Sequence, residues 1–324
     1  MNLSILLTGG TGFIGINIAQ ELTALGKDVI LFDKNELPKE AKDSLDKRKG
    51  NYTYVKGDVL DGKELDSVIN EYKIGEIIHA AVITPGPERE KMQSKLITQV
   101  NFLGTVEILE AMKRNSINKL VYCSSASVYG ESSKDDKWLS EEKTLPQPKD
   151  LYAITKFAAE QTALRYKKLF NLNIVVGRIG GVFGPWERYT GFRDTLSEQF
   201  LTSKAAIIGE KIKLPNVGYK DWVYSREIAK SVVALLMATN YNYEIYHLSS
   251  GFMWTIKEWC EKLKEVYPSF DYEITTDPGD IERSPLLIDR LKNDIEYKPQ
   301  YDLNTSFKDY MDWINKTSDF WMYE

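Results

Sequence analysis

The sequence predicts an α/β protein, a doubly wound parallel sheet with a smaller C-terminal cap, on three observations. Through the first half of the 324 residues, short β-rich runs alternate with longer amphipathic ones, the pattern of a parallel sheet with helices on both faces. The first run leads straight into a glycine-rich turn and then a helical pattern. After Arg178 the alternation gives way to loops punctuated by Gly and Pro, which read as a cap rather than more sheet.

Taken in order, strands are expected near residues 3–8, 28–33, 52–57, 76–80, 120–124 and 173–178. The clearest helices span residues 90–114 and 152–170, and Gly26 is placed to end the first helix. In the cap, a helix is expected near residues 193–203 and hairpin-like runs over 207–223. A helix over 225–238 and a strand over 244–248 then return to the sheet. The division that follows assigns 1–178 and 221–250 to the sheet domain, and 179–220 and 251–324 to the cap. The tryptophans Trp254, Trp259 and Trp313 fall on helical or loop patterns and are expected in the cap core.

Composition narrows the class of partner. The net charge is −5, with basic and acidic residues interleaved, so no electrostatic footprint for nucleic acid is present and a small-molecule partner is expected. No run of about eighteen apolar residues occurs, and Met1 leads into the first strand without a basic region or cleavage site. Neither membrane spanning nor export is expected, and the cytoplasm is the default. Cys123 and Cys260 lack metal-ligand spacing and read as reduced thiols. His79 and His247 lie in apolar strand-like runs and read as hydrogen-bonded core histidines, so no metal is expected.

The turn after the first strand is Thr8-Gly9-Gly10-Thr11-Gly12-Phe13-Ile14-Gly15. Glycines at 9, 12 and 15 allow a tight turn, backbone approach to a pyrophosphate and close packing of helix on strand. The helix N-terminus favours the phosphate charge. Asp33 closes the second strand at the distance where a carboxylate accepts hydrogen bonds from a ribose 2′-hydroxyl and repels a 2′-phosphate. The cofactor predicted is therefore NAD rather than NADP, with the neighbouring Lys34 softening the repulsion.

Downstream, Tyr152 and Lys156 stand four residues apart, on one face of a helix. A phenol is a poor base at neutral pH until a neighbouring cation lowers its pKa, which Lys156 and a nicotinamide charge are placed to do. Cys123-Ser124-Ser125-Ala126-Ser127-Val128-Tyr129-Gly130 ends a strand, where α/β folds bind their ligands.

Together these motifs resemble the extended short-chain dehydrogenase/reductases, the NAD-dependent epimerase/dehydratase family that includes UDP-galactose 4-epimerase. The likeness covers nearly the whole chain and extends to Gly57-Asp58-Val59, His79-Ala80-Ala81, Asn101 with Gly104-Thr105, Gly184-Pro185 and Asp221-Trp222-Val223-Tyr224. It implies a Rossmann-type fold, with Gly9, Thr11, Gly12, Phe13, Ile14, Gly15 and Asp33 on the cofactor, Asp58 and Val59 at the adenine, and Ala80, Ala81 and Val82 lining the cofactor. Tyr152 would be the acid/base, Lys156 would bind the nicotinamide ribose, Ser125 would hydrogen-bond the reacting oxygen, and Asn101 would join the catalytic group as its supporting network. Thr84 and Ser127 are further candidates for substrate contact. A homodimer formed through the helices over 90–114 and 152–170 is also implied.

Departures from the family pattern bear on the substrate. The dehydratases carry Asp-Glu where this chain has Ala126-Ser127, so dehydration is not expected. Sugar-nucleotide enzymes usually have Asn at the place of Gly181 and Arg at the place of Asp277, whose charge here would repel a diphosphate. Lys220 and Arg283 keep basic groups in the region. In Trp186-Glu187-Arg188-Tyr189-Thr190-Gly191-Phe192-Arg193-Asp194, Arg188 and Arg193 are placed to grip a carboxylate, the alternative being surface pairs with Glu187 and Asp194. The leading expectation is hydride transfer at a secondary alcohol of a small sugar or sugar acid, the alternative a UDP-sugar 4-epimerase. A non-catalytic dinucleotide-binding regulator on this fold would be expected to lose Tyr152 or Lys156.

Overall fold

The computed structural model of the protein describes residues 3–134, 136–216, 218–278 and 283–317, with the backbone alone for 216 and 276–278. Asp277's side chain therefore lies outside the described residues.

Strands Ser4–Thr8 (β1), Val29–Asp33 (β2), Tyr52–Lys56 (β3), Ile74–His79 (β4), Lys119–Ser125 (β5) and Asn173–Ile179 (β6) follow the predicted order. Val182–Phe183 (β7), Ile212–Asn216 (β8), Val223–Tyr224 (β9), Ile245–Leu248 (β10) and Tyr272–Pro278 (β11) complete the strands. The main sheet has seven strands in the order β10-β6-β5-β4-β1-β2-β3, and every pairing is parallel. The order turns back beside β1, which opens a crevice at the carboxyl ends of the strands.

Both faces of the sheet are covered, and the period of two along each strand decides which side chain goes where. Ile5, Leu7, Val29 and Leu31 pack with Ile228, Val232 and Leu235 of the Ser225–Met237 helix. On the other face Leu6, Ile30 and Ile77 pack with Leu65, Ile108 and Ala163. The cap has an aromatic core: Trp259 is fully buried, stacks on Trp254 at 5.7 Å and meets Phe183 edge-on at 5.3 Å. Phe13 and Ile16 of the Phe13–Ala24 helix belong to that cluster, which fastens the cap to the glycine loop.

Three expectations need correction. The helix over 90–114 is broken into Pro87–Met92, Ser94–Thr98, a π-helical turn Gln99–Leu103 and Gly104–Arg114. The wide turn aims Asn101 at the loop after β4, a placement that a regular helix would not give. The helix expected at 193–203 is Glu198–Ile208, because Ser197 caps it by accepting from the Phe200 N–H, and Gly209, at φ 75°, ends it. Among the described residues of 207–223 no hairpin pairing is present: β8 pairs parallel with β11 and β9 parallel with β7, partners distant in the chain.

A buried ion pair ties sheet to helix. Arg178 on β6 donates to Glu160 of the Leu151–Phe170 helix at 2.6 and 3.1 Å, with both side chains inaccessible, and to the Tyr129 hydroxyl at 2.8 Å. Tyr129 in turn meets His247 at 2.5 Å. Replacing Glu160 by Ala leaves the guanidinium buried without its counter-charge and should cost about 3–5 kcal/mol, read by urea unfolding. A loss below about 1 kcal/mol, the level of a surface pair, would contradict this role.

Candidate active site

One cleft of about 420 Å³ runs along the carboxyl edge of the sheet, from the glycine loop to the end of β5. At one end Gly9, Gly12, Phe13, Ile14 and Gly15 line it. A Cβ at Gly15 would stand 1.9 Å from the Gly9 carbonyl oxygen, so the loop and helix can approach this closely only without a side chain there. The helix begins at Gly12 with no capping side chain and no acidic residue in its first turn, which leaves its first N–H groups for an anion.

Asp33 lines the same end, its carboxylate held by the Thr11 N–H at 3.2 Å and the Asn35 N–H at 3.0 Å. Asp58 and Val59 lie beside it, and Lys34 is paired with Asp58 at 2.7 Å, so its charge is shared with that carboxylate. Thr11 is buried behind the loop and does not line the cleft. Its hydroxyl donates to the Asn35 carbonyl at 3.0 Å, which makes it a brace for the Asp33 turn rather than a contact surface. Ala80, Ala81 and Val82 continue the wall toward the other end.

There Ser125, Tyr152 and Lys156 converge. The Leu151–Phe170 helix starts at Asp150, whose carboxylate caps it by accepting from the Ala153 N–H. Lys156 lies one turn beyond Tyr152 and donates to the Cys123 carbonyl at 2.5 Å, with its ammonium 4.3 Å from the Tyr122 ring centre. Burial pushes the Lys156 pKa down to about 8. The Tyr152 phenol is raised, first by burial, while a hydrogen bond from Ser125 and the Arg193 charge lean the other way. The Tyr152 pKa in the protein is thus not lowered as expected from Lys156: desolvation wins, and the groups opposing it are Ser125 and Arg193.

Ser127 meets the Ser125 hydroxyl at 2.5 Å and does not line the cleft, so it orients Ser125 rather than touching substrate. Asn101 touches neither reacting group. Its amide accepts from Ile83 N–H at 2.8 Å, donates to the Ile83 carbonyl at 2.9 Å and reaches Thr155 at 3.4 Å, fixing the β4 loop against the helix. His79 is bonded by Thr8 and Thr105 and stays neutral, its pKa pushed by burial to about 3.

Of the proposed substrate residues, Thr84 and Arg193 line the cleft, and their backbones pair. Arg193 is paired with buried Glu187 at 2.7 Å and lies over the Phe13 ring, with its Nε buried and without a hydrogen-bond partner. Arg188 turns away from the cleft and donates to the Thr11 carbonyl at 2.9 Å, which corrects its expected place on the substrate. Asp194 pairs with Arg89, bidentately at 2.6 and 2.7 Å, instead of with a neighbouring arginine. Lys220 is paired with Glu198 at 3.5 Å and Arg283 with Asp221 at 3.1 Å, and neither lines the cleft. Sequence reasoning missed Asn35, Leu96, Phe192 and Thr195, cleft residues with no motif of their own. Among the described residues no group of His, Cys, Asp or Glu side chains is placed to hold a metal.

The residues present fit a dinucleotide: bare backbone at a helix N-terminus, a carboxylate beyond it, and hydroxyls with a buried ammonium at the far end. Residues 5–248 match the model of the NAD dependent epimerase/dehydratase family. The chain is similar to a putative UDP-glucose 4-epimerase of Methanocaldococcus jannaschii, at 28% identity over 97% of this chain and 99% of that one. It is similar to UDP-glucuronate 4-epimerase 1 of Arabidopsis thaliana at 26% identity, over 96% and 76%. The dTDP-glucose 4,6-dehydratase of Bacillus anthracis, solved in complex with NAD, superimposes with a TM-score of 0.81 at 25% identity, over 99% of each chain. From the glycine loop to the strand that closes the sheet, this chain belongs to the NAD-dependent epimerase/dehydratase family and is an NAD-dependent enzyme of the extended short-chain dehydrogenase/reductase type.

Proposed function

We propose that the protein transfers a hydride at a secondary alcohol carbon of a small sugar or sugar acid, with Tyr152 as acid/base. The observation that carries this is the meeting of Ser125, Tyr152 and Lys156 at the end of the cleft opposite the glycine loop and Asp33. NAD, when bound, supplies the hydride acceptor and, in its oxidised ring, a positive charge at that end. Tyr152, as phenolate, would take the proton of the substrate hydroxyl as the hydride leaves for the cofactor and would then release it to solvent, or give it back where the hydride returns; Ser125 would donate a hydrogen bond to the same oxygen, and Lys156 would hold the nicotinamide ribose. Gly9, Gly12, Phe13, Ile14 and Gly15 hold the pyrophosphate, Asp33 the adenosine ribose, Asp58 and Val59 the adenine, and Ala80, Ala81 and Val82 the wall between.

A substrate without a nucleotide is supported by the engagement of Lys220 with Glu198 and of Arg283 with Asp221, and by the absence of an amide side chain at Gly181. Ile83, Leu96, Val100, Phe192 and Trp222 give the cleft apolar walls, with Arg193 as the cation available to a carboxylate. The second reading, a UDP-sugar 4-epimerase, is favoured by the names of the relatives above. The assembly proposed is a homodimer through the helices that bear exposed Met92, Leu103 and Ile154, and the compartment proposed is the cytoplasm, where the buried thiols Cys123 and Cys260 stay reduced. Among the described residues no helix is long and apolar enough to cross a membrane.

A panel of free sugars, uronates, aldonates and UDP-sugars, assayed for NADH formation and for epimer interconversion, separates the two readings. Turnover of a nucleotide-free member is expected; turnover of UDP-sugars alone overturns the substrate assignment. On whichever substrate reacts, Tyr152→Phe should lower kcat by at least about a hundredfold with NAD affinity kept, and near-normal activity removes Tyr152 from the chemistry.

Lys156 gives a pH test in cofactor-free protein. Its folded pKa of about 8 lies below the ordinary lysine value of 10.5, so burying its charge destabilises the fold in full below about pH 8. That penalty is relieved as pH rises toward 10.5. The stability of the wild type relative to Lys156→Met, from urea unfolding, should therefore rise across this window, and a flat difference contradicts the buried ammonium.

A further inference from the structure

Residues 187–197 form one wall of the cofactor cleft and are hydrogen-bonded to cleft residues of two other segments, Asn35 and Thr84. On the adenosine side the Asn35 amide donates to the Thr190 carbonyl at 3.0 Å, next to the Asp33 turn. On the reacting side the Thr84 N–H donates to the Phe192 carbonyl at 2.7 Å, and the Asp194 N–H donates to the Thr84 carbonyl at 3.0 Å. Buried Glu187 gathers the ends of the segment, accepting from Arg193 at 2.7 Å, from the Ser197 N–H at 2.9 Å and from the Ser197 hydroxyl at 2.6 Å. Thr190, Phe192, Arg193, Thr195, Leu196 and Ser197 face inward as cleft lining.

One fastening differs in kind from the others. The Asp194 carboxylate accepts both Nε and Nη2 of Arg89 at 2.6 and 2.7 Å and the Gly86 N–H at 2.9 Å, which joins the segment to the start of the Pro87–Met92 helix. A bidentate guanidinium–carboxylate pair is the strongest polar contact available to two partly exposed side chains. Arg89 and Asp194 do not line the cleft, so no direct contact with a ligand accounts for their pairing. At the middle of the segment Gly191 sits at φ 79° with nothing near its Cβ position, a left-handed turn that needs glycine between the two fastenings.

We propose that residues 187–197 are a strap across the cofactor cleft, latched by the Arg89–Asp194 ion pair, and that NAD enters and leaves when this latch opens. The inference rests on the reading that NAD lies in this cleft. Opening the strap also carries Arg193 away from Phe13 and the Tyr152 end, so cofactor exchange and a complete reacting site exclude each other. The latch is a positioning device and takes no part in the chemistry.

The test is the rate at which protein loaded with radiolabelled NAD releases it after dilution into excess unlabelled NAD. Asp194→Asn and Arg89→Gln remove the latch from its two sides, and each should speed release by at least about tenfold, the loss of a charge-assisted pair. The reversed pair, Arg89→Asp with Asp194→Arg, should slow release again relative to either single change. Release at the wild-type rate in both single variants overturns the strap alone. A wild type that takes up no labelled NAD overturns the cofactor reading and the strap with it.

Discussion

A carboxylate and a guanidinium buried side by side, Glu160 and Arg178, set how the helix that bears Tyr152 and Lys156 lies on the sheet. Glu160 also accepts from the Ser124 hydroxyl at 2.8 Å, and one turn earlier Lys156 donates to the Cys123 carbonyl. Two successive turns of one helical face are thereby pinned to two successive residues of β5. Tyr152, Lys156 and Glu160 recur every four residues on that face, so the contacts that hold Glu160 and Lys156 against β5 also hold Tyr152 at the end of the strand, within hydrogen-bond reach of Ser125. Ser124, Lys156, Glu160 and Arg178 are each buried, and an unpaired one would cost more than its pairing contributes. The register is thus enforced by the penalty for leaving it.

The same burial shapes the electrostatics of the cleft. Lys156 is buried and Tyr152 partly so, and this desolvation lowers the first pKa and raises the second, both shifts working against the charged forms. At neutral pH the ammonium survives because its folded value is about 8. The phenol stays protonated in the protein alone, so its readiness to give up a proton depends on the positive charges near it, Arg193 within the chain and the oxidised ring of the cofactor. Arg193 arrives on a segment held by tertiary contacts, which ties the charge near Tyr152 to the placement of that segment.

What the sequence made legible was local. The glycine loop, Asp33 and the Tyr152–Lys156 spacing are set by a few neighbouring residues whose types allow one geometry, and the structure places them along one cleft. The alternation of strands and helices was equally legible, because a buried parallel sheet leaves a hydrophobic run in each strand. The contacts that decide the cap were not. Asn35 meets Thr190 across 155 residues and Arg89 meets Asp194 across 105, and nothing in either neighbourhood marks the partner. Arg188 looked like a ligand for an anion and supports the glycine loop instead. Lys220 and Arg283, basic groups in the substrate region by sequence, are engaged by Glu198 and Asp221, partners that only the fold supplies. The π-helical turn at Asn101 was hidden for the same reason: its driving contact, with Ile83, is tertiary.

The central claim is that the helix register set by Glu160 and Arg178 delivers Tyr152, Lys156 and Ser125 to the reacting end of a bound NAD. A crystal structure of the protein with NAD tests it most directly. Lys156 Nζ is expected within about 2.7–3.2 Å of a nicotinamide ribose hydroxyl, Asp33 at a similar distance from the adenosine ribose, and the nicotinamide ring beside Tyr152. An NAD bound in the opposite direction along the cleft, or held away from Lys156, would contradict it.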